Sequence, residues 1–167
     1  TERFLRFSRG IPPSIEPIDL RSVVEGVIAL VVATAREAGV TVRLDVGDPV
    51  PAMTANTEVV QHVVLNVLIN AIQSCEGRPG GQVVVTLHAQ PDVRILIRDT
   101  GCGVPPEARE HLFEPFRSRK RHGTGLGLFL SRSFMHRFGG TVRLVETTVG
   151  AGSCFEIVFS GTGGQAS

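Results

Sequence analysis

Two asparagines four residues apart are the first residues in this sequence whose types and spacing could perform chemistry. Asn66 and Asn70 lie in an otherwise apolar segment and project from the same face of a helix, one turn apart. An unpaired buried amide costs about 1–3 kcal/mol, so each side chain needs a partner. Amide oxygens suit Mg²⁺, which keeps waters and phosphate oxygens in its coordination shell. The alternative interpretation is that both amides only bond to backbone groups.

A carboxylate at the end of an apolar strand is the second candidate. Apolar residues alternate along residues 93–99, and this period of two places Asp99 in the apolar row. A carboxylate in that position requires a hydrogen-bond donor, and the exocyclic amine of adenine is a suitable one. Gly101 and Gly103 would let a flat base approach the backbone. A turn in which the aspartate caps its own loop is the alternative.

A glycine cluster and a run of cations form a third group, consistent with phosphate binding. The cluster comprises Gly123, Thr124, Gly125, Leu126, Gly127 and Leu128. A glycine-rich turn that opens a helix offers backbone amides to an anion, although this spacing is neither the dinucleotide fingerprint nor a P-loop. The preceding cations are Arg117, Arg119, Lys120 and Arg121. Because they adjoin the glycines, we favour neutralisation of a triphosphate over a solvated charge run.

Phenylalanines precede these cations in the sequence FEPF. We interpret Phe113 and Phe116 as the hinge or anchor of a loop that docks when a ligand binds; core packing is the alternative. None of the five histidines forms a pair with metal-ligand spacing, and we expect most of them at the surface.

The elements that must position these residues follow from periodicity and from turn residues. Helices are predicted from Asp19 as N-cap to Gly39, from 56 or 57 to 75, from 105 to 112 and from 125 to 138. Strands are predicted over 40–46, 82–89, 93–99, 141–146 and 153–159. The order favours an α+β two-layer sandwich, with a mixed, mainly antiparallel sheet of about five strands covered on one face by three helices.

Composition restricts the class of protein. The 167 residues are 42% hydrophobic and 20% charged with a formal charge of +1, which predicts one globular domain without a global attraction to nucleic acid or membranes. The three cysteines form no CxxC pair, so reduced thiols and a cytoplasmic setting are expected. No apolar run is long enough to span a bilayer, although a parent protein can still be membrane-anchored.

Taken in order, the four motifs resemble those of the GHKL ATPase superfamily, and within it the catalytic ATP-binding domain of sensor histidine kinases. The asparagine pair resembles the N box, DTGCG the first glycine box, FEPF the F box and GTGLGL the second glycine box. A late Gly-x-Gly-Thr-x-Phe element has Ser153 in place of threonine. The similarity extends from about Ile18 to Phe159, and the short flap resembles that of nitrogen-regulation and dicarboxylate-sensing kinases.

The resemblance implies Mg²⁺ and ATP as cofactors and assigns roles to residues. Asn66 and Asn70 would hold Mg²⁺ and, with Lys120, form the catalytic set. Asp99 would bind adenine, with Ser153 near the base. The implied nucleotide-binding residues are Asn66, Asn70, Asp99, Gly101, Gly103, Val104, Phe116, Lys120, Gly123, Thr124, Gly125, Leu126, Gly127, Leu128 and Ser153.

The resemblance also implies what this chain lacks. Gyrase-type relatives carry a glutamate general base one turn before the metal asparagine, where this chain has Asn66, so slow hydrolysis and transfer to another nucleophile are expected. The kinase family's phosphoacceptor histidine is usually followed by Glu or Asp, and no histidine here fits that pattern. Residues 1–17 then resemble the end of the dimerisation hairpin and a linker, residues 18–160 the catalytic domain, and residues 161–167 a disordered tail.

The implied partners are ATP or ADP, the parent's own dimerisation domain in a homodimer, and a response regulator acting through that domain. Neither nucleic acid nor direct membrane contact is expected. Two alternatives stay open: an anti-sigma-factor-type serine kinase with the same fold, and a degenerate nucleotide-binding scaffold.

Overall fold

The structure is a computed structural model that describes residues 14–47, 49–116 and 124–160. Its helices are α1 (Leu20–Glu37), α2 (Thr57–Ser74), α3 (Pro106–Arg109) and α4 (Gly127–Arg137). Its strands are β1 (Glu16–Ile18), β2 (Val40–Val46), β3 (Met53–Ala55), β4 (Gly81–His88), β5 (Val93–Asp99), β6 (Thr141–Thr148) and β7 (Gly152–Phe159). The predicted hairpin end in residues 1–9 and the predicted tail lie outside the described residues.

The main sheet has five strands in the order β2-β4-β5-β7-β6. The β2–β4 pair is parallel and the other three pairs are antiparallel, which confirms the predicted mixed, mainly antiparallel α+β fold. Helix α2 lies at the centre of the helical layer, where it packs against α1, α4 and the central strands. Its Val63, Val64, Val67 and Leu68 are completely buried in the core.

The ends of the helices follow the predicted local chemistry. The Asp19 carboxylate accepts a hydrogen bond from the Ser22 amide at the start of α1, and the Asn56 amide oxygen accepts one from the Val59 amide at the start of α2. After α1 the chain turns at Gly39, whose φ of +70° favours glycine. Local sequence therefore determines where the two long helices begin.

Some boundaries differ from the prediction. Strands β1 and β3 form a small antiparallel sheet that was not predicted, because three residues are too few to show a period. Residues 16–17, predicted as linker, belong to this sheet. Helix α3 ends at Arg109 rather than 112, and α4 begins at Gly127 because Gly125 has a φ of +68°. Strand β6 continues to Thr148.

Candidate functional site

Asp99 is the last residue of β5, and its pairing with Ser153 of β7 buries it. Its side chain is 3% exposed, and its Oδ1 accepts hydrogen bonds from the Gly101 amide at 2.8 Å and the Ser153 amide at 3.3 Å. The self-capped turn that the sequence left open is therefore observed. The same contacts bring the predicted residues Asp99, Gly101 and Ser153 together.

The loop after Asp99 is tied to α2 on one side and to the β6–β7 turn on the other. The Cys102 amide donates to the Ser74 carbonyl at 2.9 Å, and the Gly150 amide donates to the Cys102 carbonyl at 2.8 Å. A Cβ at Gly101 would overlap the Ser74 carbonyl, and one at Gly103, where φ is +71°, would overlap the Thr148 carbonyl. The close approach of these two carbonyls is therefore sufficient to explain why both positions are glycine, whether or not a base binds beside them.

The hydroxyl groups of Thr147 and Ser153 connect the Val104 backbone to strand β7 at the Asp99 end of the site. The Val104 amide donates to Thr147 Oγ1 at 2.8 Å, and Thr147 Oγ1 lies 2.8 Å from Ser153 Oγ. The predicted residues Val104 and Ser153 are thus linked through Thr147. Sequence analysis did not identify Thr147, since the predicted strand stopped one residue before it.

Two turns before Ser74, near the middle of α2, the Asn66 amide joins this helix to the first turns of α4. Its Nδ2 lies 2.9 Å from His62 Nε2, 3.3 Å from Ser131 Oγ and 3.4 Å from the Gly127 carbonyl. The Asn66 side chain is half-buried, and Ser131 is completely buried. The amide therefore has side-chain partners as well as the backbone partner that the sequence alone suggested.

Asn66, Asn70 and Ser74 follow each other at four-residue intervals, so they form one polar row along α2, called here the α2 polar row. Eight residues of helix span about 12 Å. Asn66 contacts the start of α4 at one end of the row, and Ser74 contacts the Asp99 loop at the other. The half-buried Asn70 lies between them. The row thus places both predicted binding segments along one side of one helix.

The second glycine segment is described from Thr124 onward. The Phe116 amide donates to the Gly125 carbonyl at 3.1 Å, so the described chain before residue 117 lies close to the described chain after residue 123, beside the start of α4. Lys120, Gly123 and the three neighbouring arginines lie outside the described residues. Thr124 is exposed, and its hydroxyl accepts a hydrogen bond from the Leu126 amide at 3.4 Å. Leu126 and Leu128 are half-buried at the start of α4.

The two phenylalanines of the FEPF motif have different environments. Phe113 packs edge-on against Phe155 with ring centroids 6.5 Å apart, and the Arg132 guanidinium lies 4.6 Å from its ring centroid. Phe116 is 77% exposed and has a φ of +61°. Phe113 therefore packs against the core, as the alternative interpretation expected, whereas Phe116 is exposed. Docking of this loop on a ligand stays a prediction.

Among the described histidines, His136 is exposed and His88 and His111 are half-buried; the fourth, His62, lies beside Asn66. It is half-buried on α2, and its ring lies edge-on to Phe134 with centroids 5.3 Å apart. Burial lowers the pKa of His62 below its ordinary value, because the charged imidazolium loses hydration. The sequence signal that could have found it is its position one turn before Asn66.

Other side chains of the described segments offer no second centre. No group of three or more His, Cys, Asp or Glu residues within them could hold a metal ion. Cys75 and Cys154 are buried, Cys102 is exposed, and all three are free thiols. In the same segments no helix is both long enough and apolar enough to cross a bilayer.

The order of these segments along the chain matches a known family. Residues 55–162 match the family described as histidine kinase-, DNA gyrase B-, and HSP90-like ATPase. The chain belongs to this family. Among curated relatives, this ATPase domain is 29% identical over 157 residues to the signal transduction histidine-protein kinase AtoS of Escherichia coli. It is 32% identical over 162 residues to the histidine protein kinase DivJ of Caulobacter vibrioides.

Coverage shows how much of those proteins the ATPase domain represents. The alignments cover 94% and 93% of this chain but 26% of both AtoS and DivJ. Full-length ShkA in complex with AMPPNP is a similar solved structure, with a TM-score of 0.77 and 30% identity over 92% of this chain and 33% of that one. The catalytic domain of histidine kinase ThkA also has a TM-score of 0.77, at 23% identity. That match covers 87% of this chain and 95% of the ThkA chain, and the structural similarity supports the fold.

Proposed function

We propose that this ATPase domain binds Mg²⁺-ATP and presents the γ-phosphate to a histidine on a separate dimerisation domain of a two-component sensor kinase. The observation that carries the proposal is the α2 polar row, which connects the Asp99 loop to the first turn of α4. Sensor histidine kinases among the relatives support the reaction class, and the ShkA complex supports an adenine nucleotide as the ligand.

We assign the adenine to the Asp99 end of the row. A buried carboxylate at a strand end can accept a hydrogen bond from the exocyclic amine of the base. Two backbone amides hold its Oδ1, so the carboxylate is fixed in orientation before a ligand arrives. Ser153 and Val104, connected by Thr147, would form the surrounding wall.

The phosphates are assigned to the start of α4. Backbone amides at a helix N-terminus after a glycine turn suit an anion, and Gly125 has the positive φ that such a turn requires. We assign Lys120 and residues 123–128 to the same contacts. Asn66 and Asn70 fit Mg²⁺, because they supply the hard amide oxygens that it prefers, one helical turn apart, and Asn66 lies beside this helix start. When bound, Mg²⁺ supplies neutralisation of the phosphate charge.

Phosphoryl transfer requires alignment and charge neutralisation more than covalent help. In the proposed reaction an imidazole nitrogen of the separate domain forms a bond to the γ-phosphorus. The bond from that phosphorus to the β–γ bridging oxygen breaks, and ADP leaves. Asn66 occupies the position where hydrolytic relatives have a glutamate base. In the proposed reaction water is therefore not activated as a nucleophile, and the γ-phosphate is transferred to the histidine.

The proposed partners follow from this reaction. The dimerisation domain carries the acceptor histidine, and a response regulator would take the phosphoryl group from it. Named sensor kinases among the relatives support this arrangement.

The experiment has two stages. Calorimetric titration with ADP and with a non-hydrolysable ATP analogue, each with Mg²⁺ and with EDTA, should show binding that Mg²⁺ strengthens. Labelled γ-phosphate should then move from ATP to an added helical-hairpin domain that carries a phosphorylatable histidine. A folded domain that binds neither nucleotide would refute the proposal, and transfer to a serine of a separate protein would support the serine-kinase alternative.

A further inference from the structure

The Asn66 side chain makes hydrogen bonds that its assignment as a metal ligand does not explain. Its nitrogen lies near three acceptors, His62 Nε2, Ser131 Oγ and the Gly127 carbonyl. A carbonyl oxygen can only accept a hydrogen bond, so the Asn66 atom that faces Gly127 must be the nitrogen. None of the three contacts uses the amide oxygen.

The shortest of these contacts is the one to His62, at 2.9 Å. Because the Asn66 nitrogen donates, His62 Nε2 must accept, and the ring proton must therefore be on Nδ1. Edge-on packing against Phe134 holds the imidazole in place. The histidine is thus a fixed acceptor one helical turn before the asparagine.

This arrangement decides which end of the Asn66 amide is available to a ligand. The two ends of an amide have opposite hydrogen-bonding character, and a rotation of 180° would exchange them. The oxygen lies 3.8 Å from the point where a Cβ of Gly127 would stand, so it is beside the first residue of α4. That is the end of the site to which we assign the phosphates and Mg²⁺.

We propose that His62 is a positioning residue for Mg²⁺-nucleotide binding: it accepts a hydrogen bond from the Asn66 nitrogen and thereby presents the Asn66 oxygen to the metal. The inference rests on the proposed function. Ser131 has the same role from α4, with a longer contact. Neither residue touches the nucleotide.

The experiment measures the magnesium gain, defined as the ratio of the ADP dissociation constant in EDTA to that in Mg²⁺. His62→Leu removes the acceptor and should lower the gain by about threefold to tenfold, the usual range for one lost hydrogen bond. Affinity in EDTA should stay near that of the wild type. His62→Gln, whose side-chain oxygen can accept from Asn66, should restore most of the gain. His136→Leu is the matched control, because His136 is exposed near the far end of α4 and contacts Thr141.

Several results would overturn the inference. These are an unchanged gain in His62→Leu, an equal loss in His62→Leu and His62→Gln, or a loss in EDTA as large as the loss in Mg²⁺. The last two would show that His62 only contributes shape or stability. Chemical unfolding of each variant checks that it is folded.

A further variant keeps the inference testable if His62→Leu does not fold. Ser131→Ala removes a different acceptor from the same amide and should lower the gain by about twofold to threefold; an unchanged gain would count against the inference. A wild-type protein without any magnesium gain would refute the proposed function and the inference together. A wild-type gain that Asn70→Ala removes and His62→Leu retains would refute the inference alone.

Discussion

Replacement of Asp99 by asparagine tests the adenine assignment with little change in shape. The Asn oxygen can take the place of Oδ1 and still accept from the Gly101 and Ser153 amides, which are 2.8 Å and 3.3 Å away. The Asp99→Asn variant should therefore fold. The second carboxylate oxygen becomes an NH₂ group, which faces the amine of adenine donor to donor.

The expected loss follows from the value of a hydrogen bond to a charged group. Such a bond contributes about 1.5–3 kcal/mol, so the ADP dissociation constant should rise by about tenfold to 150-fold. Guanine has a carbonyl oxygen where adenine has the amine, and the new NH₂ group can donate to it. The preference for ADP over GDP should therefore shrink or reverse.

Calorimetric titration with ADP and GDP measures both effects, and guanidinium unfolding checks the fold. Arg98→Gln is the matched control, since it removes a charge one residue away on the exposed face, where Arg98 pairs with Glu146 at 2.8 Å. It should leave the ADP affinity within about twofold of wild type. If Asp99→Asn retains wild-type ADP affinity and selectivity while folded, then Asp99 only caps its own loop, and the assignment to adenine is wrong.

Three further predictions address the metal, the loop and the response to pH. Asn70→Ala should abolish the difference in ADP affinity between Mg²⁺ and EDTA, as seen by titration calorimetry, while ADP still binds. Gly101→Ala should destabilise the fold by about 1–3 kcal/mol, measured by chemical unfolding, because its methyl group overlaps the Ser74 carbonyl; an unchanged unfolding midpoint would contradict this packing. Burial lowers the pKa of His62 in the folded state below the ordinary 6.5, so its contribution to the free energy of unfolding is complete above about pH 6.5 and is lost as the pH falls through the folded pKa. In EDTA, the free energy of unfolding of the wild type should fall more than that of His62→Gln between pH 7 and pH 5. If both proteins lose the same free energy of unfolding over this range, the pKa of His62 is not lowered.

Local patterns were sufficient for most of the architecture. Alternation along Val93–Asp99 predicted both the strand and the inward side of Asp99, because neighbouring side chains of a strand must point to opposite faces. The sequence predicts Asp19 as the cap of the first helix and Asn56 or Thr57 as the start of the second. In the structure the Asp19 and Asn56 side chains cap nearby amides that a helix leaves unpaired. Strands β1 and β3 were missed because their stability comes from pairing with each other.

The spacing of Asn66 and Asn70 is a property of the sequence, since any helix would place them on one face. The surroundings of these side chains cannot be read from the local sequence, because the partners of Asn66 on α4 are 61 and 65 residues away along the chain. Similarly, the sequence suggested that Gly101 and Gly103 make room for a flat base, but the structure shows that the Ser74 and Thr148 carbonyls already lie too close for a Cβ at these positions. Helical and strand periodicity are set by the backbone within a few residues, whereas the contacts that orient a binding side chain depend on how distant segments pack. The sequence alone therefore determined which residues share a face, and the tertiary structure decided which atoms those faces present.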